Sequence, residues 1–359
     1  MRKLLSIGLD NSSRLLRYTV VTAVAAFVTV LLLAAQSSSG QLRVVDLGAL
    51  PGDVHSCAFD INDPGQIVGR SGTSTGLYQA VLWENGTITS LGTLTIAGYS
   101  EARAVNNRGQ IVGFSTTSTG ATHAVLWENG TITDLGTMAD TLNSSAVGIN
   151  ELGQIIGAGG IWEGSLEQHA LLWENGTITD LGLLDTWWDS PYGRLGYSEP
   201  YGINNRGQIV GISTTKTGVH AALWKNGTIT DLGALPGDDY SEALGINERG
   251  QIMGRSGKWH GVCHAVLWEN GTITDLGMLP ITGYFLPYGI NNRGQIVFES
   301  IQSHVGFGRA VLWEKGTITD LGALMAPGSG LSAAFGINNR GQIVGWAVDA
   351  GGHAVLWTR

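Results

Sequence analysis

Charge is scarce in this chain, and so are proline and cysteine. Of 359 residues only 14% are charged, while 43% are hydrophobic. A chain so poor in charge and so rich in apolar residues is ordered, not disordered. The formal net charge is −9. Residues 1–40 hold Arg2, Lys3, Arg14 and Arg17 against Asp10, so the remainder is more acidic still. That balance excludes a phosphate backbone as the natural partner, and nucleic acid with it. Two cysteines, Cys57 and Cys263, are too few for a disulfide framework. The apolar runs of the chain beyond residue 40 are short and lack the 3.6-residue period, which excludes helices. No HExxH, EF-hand loop, GxSxG or phosphate-binding glycine loop is present, so no metal or cofactor is expected.

What the chain has instead is repetition. "LG" closes a unit at Leu47, Leu91, Leu135, Leu181, Leu232, Leu276 and Leu321. "GQI" starts at Gly65, Gly109, Gly153, Gly207, Gly250, Gly294 and Gly341, and "LW" starts at Leu82, Leu126, Leu172, Leu223, Leu267, Leu312 and Leu356. The units are 44 residues long or slightly more, except one of 51. Each reads as four short strands. In the second they fall near Ser100–Asn106 (A), Gln110–Ser115 (B), His123–Glu128 (C) and Thr131–Gly136 (D). Asn129-Gly130 joins C to D, and Asn-Gly is the strongest short signal for a type I′ hairpin, which needs φ > 0 at both places. Asn106-Asn107-Arg108-Gly109 joins A to B and suits a type I turn.

Four antiparallel strands in about 44 residues are one propeller blade. The phase of the repeat selects a closed ring over an open solenoid. Gln41–Gly48 is a strand D alone, and His353–Arg359 is a strand C with no D after it. Pairing them removes two exposed edges. The sequence thus predicts an all-β fold: a seven-bladed β-propeller of four-stranded blades over residues 41–359, closed by its N-terminal strand on the last blade.

The units resemble those of the HAF-repeat family of extracellular proteins, whose signature is a His-Ala-Phe-like strand with a "GQIVG"-like strand. The resemblance spans residues 41–359. This chain writes "HAV", "HAL" or "HAA", and places Gln79 and Arg309 where two units lose the His. The resemblance implies an exported repeat protein and carries no common activity. Residues 1–40 agree with export. A basic stretch ends at Arg17, an uncharged run extends from Tyr18 to Ala35, and small polar residues follow. This is the pattern of a cleaved signal peptide or of an uncleaved anchor. Either places the rest of the chain outside the membrane, touching it only through residues 18–35 if uncleaved.

Most recurring residues have structural readings. Asn-Gly-Thr matches the glycosylation sequon, but the same Asn-Gly is the turn, and Lys315-Gly316 keeps the turn without Asn. Trp83, Trp127, Trp173, Trp224, Trp268, Trp313 and Trp357 are read as packing between blades. The strand-C histidines cannot converge on one metal in a ring, and the acidic residues of strand D recur as scaffold does. The face carrying the D–A and B–C connections is the variable one, where function is expected. Its longest loop, Leu183–Glu199, holds Trp187, Trp188, Tyr192 and Arg194, and neighbouring loops hold Trp162 and Trp259. These six are the candidate ligand-binding residues, for a carbohydrate, peptide or protein; local loop packing is the competing reading. An extracellular binding module is the expected function. The alternatives are a carbohydrate-active hydrolase or lyase on the same face, for which Asp185 and Asp189 would be the carboxylates, and a structural surface protein.

Overall fold

The computed structural model describes residues 42–358 except 97, 140, 161–167, 186, 191–192, 217, 260, 262, 278–282, 303–306, 325–329 and 349–351. The apolar run at 18–35 lies outside them. The described chain is all-β and contains no helix. Seven four-stranded antiparallel sheets form a ring, a seven-bladed β-propeller. In the second blade the strands are Ser100–Val105, Ile111–Thr116, Thr122–Glu128 and Thr131–Asp134. The seventh takes its outer strand from Arg43–Asp46, which pairs with His353–Thr358 and closes the ring as the repeat phase requires.

Local chemistry sets the turns. Asn85, Asn129, Asn175, Asn226 and Asn270 have φ of 51–52°, each followed by a Gly with φ of 73–77°. Lys315 adopts the same conformation at φ 49°. Both central residues of the hairpin are therefore left-handed, the requirement that Asn-Gly meets at least cost. The strand-C tryptophans pack between blades. Six are buried, with relative exposures of 0–5%, and Trp313 is half-buried against the same kind of cluster. Trp173, Trp224 and Trp268 also donate their indole N–H to a carbonyl that follows strand D of the preceding blade.

The Asn before each A–B turn does more than shape the turn. Its Oδ1 accepts backbone N–H groups within its own turn, as in Asn204 with Arg206 and Gln208. Its Nδ2 reaches the next blade and donates to the backbone carbonyl of the equivalent Asn. The chain runs Asn62, Asn106, Asn150, Asn204, Asn247, Asn291, Asn338 and back to Asn62, at 2.9–3.2 Å. The neighbouring residue forms a second ring. Asp63, Asn107, Glu151, Asn205, Glu248, Asn292 and Asn339 each donate a backbone N–H to the side-chain oxygen of the next, at 2.7–3.0 Å. At the other end of strand A a recurring Ser ties blades together: Ser144 donates to the Gly136 carbonyl and accepts from the Ala124 N–H, both of the preceding blade.

Candidate functional site

Strand A is the innermost of each blade, since each packs against its counterparts on both sides. All seven carry a β-bulge at one place, opposite the second residue of the "IVG" run in most blades. A bulge leaves one residue outside the ladder and re-aims its side chain. The bulged residues are Phe59, Arg103, Val147, Tyr201, Leu244, Tyr288 and Phe335, and together they line an axial cavity of about 230 Å³. In six of the seven blades a strand-B glycine lies opposite the residue just before the bulge, and in blade six Phe298 takes that place opposite Pro287. A Cβ on Gly113 would lie 1.9 Å from the Glu101 carbonyl oxygen, so glycine is required there.

Two residues before the bulge, toward the variable-loop face, stand Cys57, Glu101, Ser145, Glu199, Glu242, Leu286 and Ala333. Their strand-B partners are Arg70, Phe114, Ala158, Ile212, Arg255, Glu299 and Trp346. The repeat is near-identical at its turns, its Asn ring and its Trp layer. At these tiers facing the axis and its mouth it is not. Closure of the ring does not dictate these residues, which is what distinguishes a site from its scaffold.

The tiers gather into two charged groups. In blades one and two, Glu101 receives Arg70 at 2.7 Å and Arg103 at 3.1 Å, with only 8% of its own side chain exposed. Both guanidiniums lie over rings: Arg70 is 5.0 Å from the Tyr78 centroid and 5.7 Å from that of Phe59, and Arg103 is 4.7 Å from that of Phe114. Such stacking fixes the plane of a guanidinium. Arg70, Tyr78, Glu101, Arg103 and Phe114 line a cavity of about 480 Å³. In blades four to six, Arg255 meets Glu242 at 2.5 Å, and the Tyr240 hydroxyl donates to the same carboxylate. Tyr201 donates to Glu199 at 3.0 Å. Tyr288 donates to Glu299 at 3.4 Å. Burial, then the Glu299 charge and hydrogen bond, push the Tyr288 hydroxyl up to about 12. Burial also raises the Glu299 carboxyl above its ordinary 4.5, against the Tyr288 hydrogen bond, which lowers it.

The residues expected from the loops are placed unevenly. Trp162 and Tyr192 lie outside the described residues. Trp187 and Trp188 fall on a strand, Trp187–Ser190, that pairs with Gly193–Leu195, which carries Arg194. The long loop is thus built on a small hairpin, and these three side chains lie outside the described residues. Trp259 is described: it is 44% exposed and meets Tyr240 edge-on at 5.1 Å, beside the Glu242–Arg255 group. Sequence reasoning missed the channel tiers. Their signal was present, as the positions in strands A and B where the seven copies disagree.

The strand-C histidines do hydrogen-bond, each Nδ1 to the strand-D carboxylate of its own blade: His123–Asp134, His169–Asp180, His220–Asp231, His264–Asp275 and His353–Asp46, at 2.6–2.9 Å. Where Arg309 replaces His it bonds Asp320, and where Gln79 replaces it Ser90 replaces the Asp. Cys57 and Cys263 are unpaired.

No protein-family model and no curated protein sequence matches the chain. Solved structures share its fold. An oligogalacturonate lyase from Vibrio parahaemolyticus superposes with a TM-score of 0.54 at 9% identity, over 89% of this chain and 94% of the lyase. A puromycin-hydrolyzing peptidase from Mycobacterium tuberculosis gives 0.54 at 13% identity, over 82% of this chain but only 50% of the peptidase. At such identities the likeness is one of fold alone.

Proposed function

We propose that the chain is an exported binding module of the HAF-repeat kind, and that its ligand sits at the mouth of the axial channel on the variable-loop face. The observation that carries this is the contrast within the repeat. Seven copies agree at the Asn ring and the strand-C tryptophan, which join blade to blade, and differ where side chains face the channel mouth. The differing positions hold arginines, glutamates and tyrosines that closure of the ring does not require. Trp259 stands beside the Glu242–Arg255 group, and the D–A connection that carries Trp187, Trp188 and Arg194 belongs to the same face. The basic-then-apolar pattern of residues 1–40 supports export.

The test is a binding screen of the full chain on glycan and peptide arrays, repeated with Arg103→Ala and Glu242→Gln. A control substitution, Arg206→Ala, lies on the opposite, repetitive face. Retained binding in both mouth variants, with loss in the control, would overturn the reading.

A carbohydrate-active hydrolase or lyase remains as a second reading, and Glu299 is the observation that favours it. A half-buried carboxyl with a raised pKa beside a tyrosine hydroxyl has the form of an acid–base pair. Turnover of polysaccharide substrates by the parent, abolished in Glu299→Gln, would establish it.

A further inference from the structure

Beside the cavity of about 480 Å³, the first of a pair, lies a second of about 440 Å³, at the junction of blades seven and one. Its walls include Leu77, Trp346 and Val348. Arg70 and Tyr78 line both cavities and so form the septum between them. The first cavity is polar, with Asn143, Ser145 and Gln168 in its wall; the second is the more apolar.

The charge at the septum is unbalanced. Two guanidiniums face one carboxylate, Glu101, leaving an excess of one positive charge in a chain whose net charge is −9. Among the described residues Glu101 is the one hydrogen-bond acceptor that Arg70 meets, and 44% of the Arg70 side chain is exposed. The rest of its N–H fork is free to take a second carboxylate, and the stacked rings hold that fork in place.

We infer that the two cavities are one site for a short peptide with a free, apolar C-terminal residue. The inference rests on placing the ligand at the channel mouth. The terminal Cα of such a peptide carries three groups in three directions. Its carboxylate meets Arg70 at the septum, with Arg103 on the far side of Glu101. Its amide enters the polar cavity, and its side chain enters the second cavity beside Leu77 and Trp346. Three-point attachment of this kind distinguishes the L residue from its mirror image. A sugar would instead need open ring faces, and guanidiniums already cover Tyr78, Phe59 and Phe114.

The experiment is calorimetric titration of the full chain with N-acetyl-alanyl-leucine, its C-terminal amide, and the diastereomer ending in D-leucine. The free acid is expected to bind at least about tenfold tighter than the amide, the loss expected for a charge-assisted pair. Arg70→Ala should bring acid and amide to the same weak affinity. Arg70→Lys, which keeps the charge but not the fork, should recover part of the preference. Leu77→Ala should weaken the leucyl probe and spare N-acetyl-alanyl-glycine. Equal affinity for acid and amide, indifference to the D residue, or no binding of any probe would each overturn the inference. If a neutral glycan binds the parent and loses affinity in Arg103→Ala, the channel-mouth reading stands while the peptide inference falls. If mouth variants alter no ligand, both fall.

Discussion

Replacing Asn204 by Ala removes four hydrogen bonds at once. Oδ1 no longer accepts from Arg206 and Gln208, both at 3.1 Å. Nδ2 no longer donates to Gln208 Oε1 at 2.9 Å or to the Asn247 carbonyl at 3.2 Å. The residue is 1% exposed. The two turn amides are partly buried and can recover some hydration, so each costs roughly 1 kcal/mol. The Asn247 carbonyl is buried and loses its partner from the neighbouring blade, at about 1–3 kcal/mol. The sum is about 3–5 kcal/mol, a large part of the stability of a typical domain. Equilibrium urea unfolding should show it as a midpoint lowered by about 1 M or more at an unchanged slope. Asn204→Asp separates the two roles. It keeps an acceptor for the turn but sets a carboxylate oxygen against the Asn247 carbonyl. That variant should be weaker than the parent at pH 7 and recover as the carboxyl is protonated and becomes a donor. A loss below about 1 kcal/mol in the Ala variant, or an Asp variant indifferent to pH, would refute the claim that this ring binds blades together.

Four further outcomes are expected. Trp127→Ala empties a site only 3% exposed and should cost about 3–5 kcal/mol in the same assay. Lys315→Asn places a residue that tolerates the left-handed region at φ 49° and should stabilise by a few tenths of a kcal/mol, read as a small rise in melting temperature. Asp60 is half-buried, and burial raises its pKa above the usual 3.8 despite hydrogen bonds from Val105 and Ile61. A raised carboxyl holds its proton better folded than unfolded, so its contribution is greatest below the unfolded pKa and is lost as pH rises through the folded one. The stability of Asp60→Asn relative to the parent should therefore increase from pH 4 to pH 7; a constant difference would refute it. Burial pushes the Cys57 thiol up to about 12, so alkylation of the native protein at pH 8 should spare Cys57, while unfolding without reductant should release two free thiols.

The architecture was legible because it is written seven times. Asn-Gly announced five of the C–D hairpins, and the orphan strands at the two ends of the repeat announced the closure. Legibility failed where chemistry depends on side chains from different blades. Nothing in "GINNRG" shows that Asn204 Nδ2 points out of its own turn; read alone, it is an ordinary turn residue. The channel tiers were hidden by the bulge. An alternating strand would send Arg103 and Glu101 to the same face as their pleat dictates, and the extra residue changes which positions look toward the axis. The loop aromatics stood out because they break the repeat. Glu101 recurs as Glu199 and Glu242, and Arg70 as Arg255, so these residues look like part of the repeat and their partial recurrence within strands reads as packing.

The two hydrogen-bonded circles also bear on how such a molecule can change its size. Every junction between blades uses the same plug and the same socket, and each unit carries one of each. Duplicating or deleting a whole repeat would leave every remaining junction chemically intact. Nothing in the junction counts. The number seven must then be set by the wedge angle at which neighbouring sheets pack around their tryptophans, while the circles accept whatever number of turns that angle delivers.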